Sequence, residues 1–325
     1  MTFMDLNRRT LLRNTLAASL AAGLGPKPFA IGQEETKAKK AKFKIDLTPG
    51  AIGIGAEPRD VIELAHAHGF ESVQPDAGFL ASLDANGRKE IAAELEEKNL
   101  VWGSANMPVD FRKDEERFQG GMKALPKMAA SLQEAGATRI STYLLPFHES
   151  LTYLSNFSVH KTRLKEITKV LADHGLRFGL EYVGTKTLWT RARYAFIHTM
   201  AETKELIAEV DHPTLGFVLD SWHWHMAEEK AADILTLANN DVVACDLNDA
   251  PDGVALDQQK DNRRELPAAT GVIDVKAFLN ALVTIGYDGP VRAEPFNQPL
   301  RDLDDAPAAE STAKAIRKAM EIAGV

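Results

Sequence analysis

From residue 43 onward the chain alternates a short apolar run with a longer amphipathic one, and does so eight times; few folds accommodate that rhythm. The apolar runs fall at Phe43–Leu47, Ser72–Pro75, Val101–Ala105, Arg139–Leu144, Arg177–Tyr182, Thr214–Asp220, Val242–Leu247 and Val291–Glu294. They are short, close to uniformly apolar and lack strict alternation, the pattern of strands buried on both faces of a parallel sheet. The intervening stretches, such as HKTRLKEITKVLADHG and DVKAFLNALVTIG, carry apolar residues at helical spacing. Several close on a residue that tolerates the left-handed helix-stop conformation: Gly69, Asn99, Gly136, Gly175 and Gly286. Eight such units in one chain predict an α/β fold, a (β/α)8 TIM barrel forming a single domain over residues 43–325.

An open doubly wound sheet is the competing architecture, and it advertises a glycine-rich phosphate turn after its first strand. The nearest candidate, Gly50-Ala-Ile-Gly-Ile-Gly, has the wrong spacing and reads as a backbone bend. The single cysteine, Cys245, lies within a predicted strand, which excludes disulfide stapling and a cysteine-based zinc site.

Residues 1–30 read as an export signal. Arg8 and Arg9 precede Thr10-Leu11-Leu12, and LAASLAAGLG follows, an apolar stretch too short to span a bilayer. Paired arginines before leucines resemble the twin-arginine signal, a route for folded cargo, and imply a periplasmic or cell-envelope enzyme. Residues 31–42, rich in Lys, Glu and Gln, read as a solvated linker. The whole chain carries a formal charge of −8, and removing the four basic residues and one acidic residue of the first 30 leaves −11. A strongly acidic protein is a poor partner for nucleic acid. Beyond the signal no apolar run reaches spanning length, so stable membrane insertion is not expected; an oligomer is compatible with the sequence.

Four predicted strands end on a carboxylate: Glu181, Asp220, Asp246 and Glu294. An unpaired carboxylate in a buried strand costs several kcal/mol, so something positive must meet these groups. A divalent metal at the mouth of a parallel barrel answers all four and suits sugar or polyol chemistry. Asp220 is followed at the third position by His223, which brings an imidazole toward the same centre as the strand turns into its loop.

The order of Glu181, Asp220-x-x-His223, an acidic seventh strand and Glu294 resembles the xylose isomerase-like barrel superfamily of sugar isomerases and epimerases. The segments LEYVGTKT, LDSWHWH, DLNDAP and GYDGPVRAEPF carry the resemblance. It implies one divalent metal held by Glu181, Asp220, the seventh-strand position and Glu294. Asp246 stands where the resemblance calls for histidine, which makes the site all-oxygen and favours Mn2+, then Mg2+ or Co2+, over Zn2+. Four carboxylates oversupply negative charge, so a cation such as Lys186 or Arg263 is expected nearby, or one carboxylate is protonated or lies outside the metal's shell. The chemistry implied is enolisation of a sugar or keto-sugar, with Glu181 and Glu294 as acid and base on opposite faces of the reacting carbon and His223 orienting substrate. Given a leaving group β to that carbon, the same site would cleave a 3-keto-glycoside.

Two connections, Pro146–Phe157 and Ala250–Val272, follow strand C-termini and are candidate lids. The second supplies Arg263, expected to present its guanidinium to substrate oxygens; the first supplies His148 to the pocket wall. Trp222, with Trp224 and Trp102, is placed to stack on a sugar face or to pack in the core. A DNA-repair endonuclease on the same barrel would need a histidine-rich multi-metal centre and a cationic surface. A binding module without chemistry would be expected to have lost its carboxylates.

Overall fold

The computed structural model describes residues 40–325, of which the barrel is built; the predicted signal and most of the linker lie outside the described residues. Eleven strands form: β1 (Lys44–Leu47), β2 (Ser72–Val73), β3 (Val101–Trp102), β4 (Ala105–Asn106), β5 (Arg139–Tyr143), β6 (Phe147–His148), β7 (Arg177–Glu181), β8 (Tyr194–Ala195), β9 (Leu215–Asp220), β10 (Val242–Asp246) and β11 (Pro290–Arg292). Nine of them make one all-parallel sheet in the order β3-β2-β1-β11-β10-β9-β7-β5-β4. Its two end strands are consecutive in the chain, separated by Gly103 and Ser104, so the sheet curls round until its ends meet. The result is a TIM-barrel-like α/β domain; β6 and β8 form a small antiparallel pair outside it.

The third expected strand is thus split in two. Gly103 donates its N–H to Val73 O at 2.9 Å, and Ser104 Oγ lies 2.9 Å from Ser141 Oγ, so the chain changes partners within two residues. A Cβ on Gly103 would sit 2.2 Å from Asp46 Oδ1, which makes glycine obligatory where the seam passes that carboxylate.

The helices form where apolar spacing and caps agree. Helix Glu115–Glu134 is capped by Asp114, and Tyr153–Asp173 by Thr152. Their inner faces bury Phe118, Leu125, Ala129 and Leu132, and Leu164, Ile167 and Leu171, each large side chain worth about 1.5–3 kcal/mol relative to exposure. Helix Met200–Val210 opens on a reciprocal capping box between Thr199 and Glu202. All five expected helix stops have positive φ, from 55° at Asn99 to 84° at Gly136.

Strands β7, β9 and β10 end on Glu181, Asp220 and Asp246. The eighth barrel strand stops two residues earlier than expected, at Arg292. The reason is local: Glu294 N donates to Asn248 Oδ1 at 2.9 Å, Pro295 has no N–H to give, and Phe296 adopts φ 45°.

Candidate active site

The register of the barrel stacks charge in a row. Asp220 is the cross-strand partner of Asp246, and Asp246 of Arg292, so these three side chains share the barrel's inner face. Continuing the pairing of Ile45 with Val291 by one residue places Asp46 beside Arg292. Glu181 pairs with Tyr143 on one side and Val218 on the other. Arg292 grips Asp246 through both carboxylate oxygens, with Nη2 to Oδ2 at 3.1 Å.

Arg264 is the hub of the site. It comes from the long connection after β10 and is 2% exposed, with Nη1 2.7 Å from Asp220 Oδ2 and 3.3 Å from Glu294 Oε2, and Nη2 2.8 Å from Asp261 Oδ1. Burial works against its charge, but Asp261, Asp220 and Glu294 outweigh that and bind its proton more tightly. Burial would raise Asp261, yet Arg264 and His223 hold it below the usual carboxylate range. Trp222 and Phe296 flank the guanidinium at 5.5 and 4.9 Å.

The connection is bolted rather than loose. Both oxygens of buried Asp249 accept backbone N–H groups, from Thr270 at 2.9 Å, Gly271 at 2.7 Å and Ile273 at 2.9 Å, while Thr187 Oγ1 donates to Gln259 O at 2.8 Å. Asn248, fully buried, links two carboxylate positions: its Nδ2 donates to Asp220 Oδ1 at 3.0 Å and its Oδ1 receives Glu294 N.

Two groups of side chains bring metal-ligating atoms within 4.8 Å of one another: Glu181, Asp220 and His223, and Glu181, Asp246 and Glu294. Glu181 is common to both, and its Oε1 is buried with no hydrogen-bond partner among the described residues. That orphan and its oxygen neighbours fit a hard divalent cation. The imidazole fits less well as a ligand. Gly184 N donates to His223 Nδ1 at 3.2 Å, and Arg264 Nη2, which can only donate, lies 3.2 Å from Nε2, so both ring nitrogens already face donors, while Asp261, Glu181 and Asp220 stand off at 3.6–3.8 Å. Burial and then Arg264 push His223 down to about 3, so the ring is neutral.

Burial and mutual repulsion raise the acids. Glu181 is driven well above its ordinary value by burial and then by Glu294 and Asp220; Glu294 is pushed up to about 8 by burial and Asp246, and Asp220 to about 6 mainly by burial. Both glutamates open onto two cavities that also share Tyr143. One, of about 300 Å³, is lined by Arg112, Thr142 and Arg292; the other, of about 340 Å³, by His223, Arg264 and Phe296.

The structure therefore brings Glu181, Asp220, His223, Asp246 and Glu294 together. Arg263 is exposed, and its neighbour Arg264 is the guanidinium that enters the site. Lys186 stands half-exposed, 3.6 Å from Asp257. Trp222 is fully buried, with Nε1 donating to Thr185 Oγ1 at 2.9 Å, so it backs Arg264 instead of lining the cavity. His148 accepts N–H from Ser150 and Leu151 and lines a separate cavity of about 540 Å³ with His160 and Arg163. Arg292 and Asn248 were legible signals left unread: each lies two residues from a strand-end carboxylate, on the same face of an extended chain.

Residues 62–321 match the family model of the xylose isomerase-like TIM barrel. The chain belongs to that family. It is 29% identical over 244 residues to a 3-dehydroshikimate dehydratase of Pseudomonas aeruginosa, covering 74% of this chain but 36% of that protein. It is 26% identical over 133 residues to an inosose isomerase of Bacillus subtilis, covering 41% and 45% of the two chains. The matched part of the chain thus spans less than half the length of these relatives. Among solved structures, a xylose isomerase domain protein of Alicyclobacillus acidocaldarius superposes with a TM-score of 0.77 at 26% identity, over 87% of this chain and all of that one. An IolI protein with a bound zinc atom superposes with a TM-score of 0.72 at 18% identity, over 86% of this chain and 99% of that one, a likeness of fold.

Proposed function

We propose that the protein is a divalent-metal-dependent isomerase or epimerase of a sugar or keto-sugar. The observation that carries this reading is geometric: Glu181 and Glu294 face the same two cavities, with carboxylate oxygens within 4.8 Å of each other and of Asp246. Two carboxyls so placed beside one substrate carbon are suited to acid and base roles. Glu181, Asp220, Asp246 and Glu294 would hold the metal, Mn2+ before Mg2+ or Co2+, and the ion would acidify the C–H beside the substrate's carbonyl. The ionised glutamate removes that proton, and the protonated one delivers a proton to the opposite face. Arg264, with Nη1 between Asp220 and Glu294, fixes both carboxylates and offers donors to substrate oxygens. His223, neutral and packed against the Arg264 guanidinium through Nε2, holds that guanidinium in register with the carboxylates.

A lyase or dehydratase reading rests on the same proton abstraction. It is favoured by a neighbouring cavity of about 340 Å³ that shares Asn106 and Met107 with the Arg292 cavity, room for a leaving group, and by dehydratases among the relatives. The paired arginines near the start of the sequence support export to the periplasm or envelope.

The test is product analysis by NMR after incubating the metal-supplied protein with a panel of ketoses and 3-keto-glycosides. An epimer or aldose identifies an isomerase, and a released aglycone identifies a lyase. Glu181→Gln and Glu294→Gln should each lower turnover by about a thousandfold with unchanged circular dichroism; wild-type turnover in either variant would remove that residue from proton transfer.

A further inference from the structure

The Arg292 cavity contains two guanidiniums that the reaction above does not use. Arg292 spends Nε and Nη2 on Asp246, yet its Nη1 is buried without a hydrogen-bond partner among the described residues. The Arg292 side chain is 8% exposed, and it lines the cavity that Glu181 and Glu294 face. Arg112 lines the same cavity from another wall. Its Nε and Nη1 are held by Asp110 Oδ1 at 3.2 Å, Thr142 Oγ1 at 3.1 Å and Tyr143 O at 2.9 Å, and its Cζ lies 4.2 Å from the Tyr143 ring centroid. No hydrogen bond engages its Nη2 among the described residues. Each guanidinium is thus clamped by the fold with donor capacity left over, and both residues line this cavity.

A guanidinium donates and never accepts, so whatever completes these two must be an acceptor. A buried N–H left without one costs about 1–3 kcal/mol, and more on a charged group. A hydroxyl offers one oxygen; a carboxylate offers two, one for each guanidinium, and carries the opposite charge. We propose that Arg112 and Arg292 form a carboxylate-binding subsite, and that the natural substrate is a keto acid of the polyhydroxylated type rather than a neutral ketose. This rests on the enolising role of Glu181 and Glu294, whose cavity the subsite shares. A substrate anchored there by its carboxylate extends its carbonyl end toward the two glutamates, within a cavity of about 300 Å³.

Calorimetric titration of the metal-supplied protein with 5-keto-D-gluconate and L-sorbose tests this directly. The two differ by a carboxylate in place of a terminal CH2OH. The keto acid should bind at least tenfold tighter at low salt. Arg112→Gln should reduce that ratio several-fold, and so should Arg292→Lys, which keeps a positive charge beside Asp246 but withdraws the unpaired Nη1 donor. Equal affinities, no binding of the keto acid, or a preference that both variants retain overturns the proposal. Deuterium exchange on the same samples separates it from the enolisation reading. Exchange into both compounds without affinity preference defeats the subsite alone. Preference without exchange into either defeats enolisation and leaves the subsite standing.

Discussion

At Arg264 one side chain does what sequence reasoning assigned to its neighbour. The dipeptide Arg263-Arg264 lies in an irregular connection, where no period of 2 or 3.6 says which residue turns inward. The backbone decides: Arg264 N donates to Pro295 O at 3.1 Å, tying this position to the end of the barrel. Arg264→Met removes the cation from beside Asp220, Asp261 and Glu294, and buried carboxylates left unpaired typically cost 3–5 kcal/mol. Urea unfolding should show a loss of about that size in metal-free protein, and added Mn2+ should recover part of it; stability equal to wild type without metal would show that Arg264 does not neutralise the site. Asn248→Ala is the subtler change. It frees Glu294 N, at about 1–3 kcal/mol for the unsatisfied group, and takes one of two donors from Asp220 Oδ1, which keeps Trp222 N at 2.7 Å. Turnover should fall tenfold or more with Mn2+ affinity, measured by titration, changed less than threefold; full activity would show that the carboxamide does not position Glu294.

The strands were the most legible elements, because a parallel barrel buries both faces and leaves continuous apolar runs. Helix ends were legible for a different reason, the left-handed conformation at Gly69, Asn99, Gly136, Gly175 and Gly286. The carboxylates ending β7, β9 and β10 could be found by position, whereas the cations that meet them could not, since Arg264 arrives from 18 residues beyond Asp246 in the sequence. Arg292 was readable in principle, as the residue two before Glu294 in V-R-A-E. The connection Ala250–Val272, expected as a lid, is anchored at Asp249, whose carboxylate takes N–H groups from Thr270, Gly271 and Ile273. Asp249→Ala should destabilise the protein by about 3 kcal/mol in urea unfolding and open this segment to limited proteolysis. Unchanged stability and cleavage would mean that the connection is held by other contacts.

Across the whole molecule, charge at pH 7 is negative, and the buried groups outside the site set how stability answers to acid. His160 is buried, with Nδ1 2.9 Å from Asn156 O and rings of Phe111 and Phe196 against it. Burial lowers it from 6.5 to about 4. A base depressed by folding adds stability that is present above the unfolded value and lost as pH falls from 6.5 through 4. His160→Phe should remove this component, so that wild type and variant converge by about 3 kcal/mol on acidification over that window, measured by urea unfolding at a series of pH values. Parallel curves would show that His160 does not titrate differently in the folded state. Within the described residues no helix is long and apolar enough to cross a membrane. The central claim concerns Glu181, Glu294 and the cation they would share, and deuterium uptake from D2O into a keto-sugar or keto acid, measured beside metal content, tests it most directly. One divalent ion per chain, with exchange that stops on chelation and returns with Mn2+, is the expected result. Exchange that is absent with stoichiometric metal bound, or undiminished after chelation, would contradict the account.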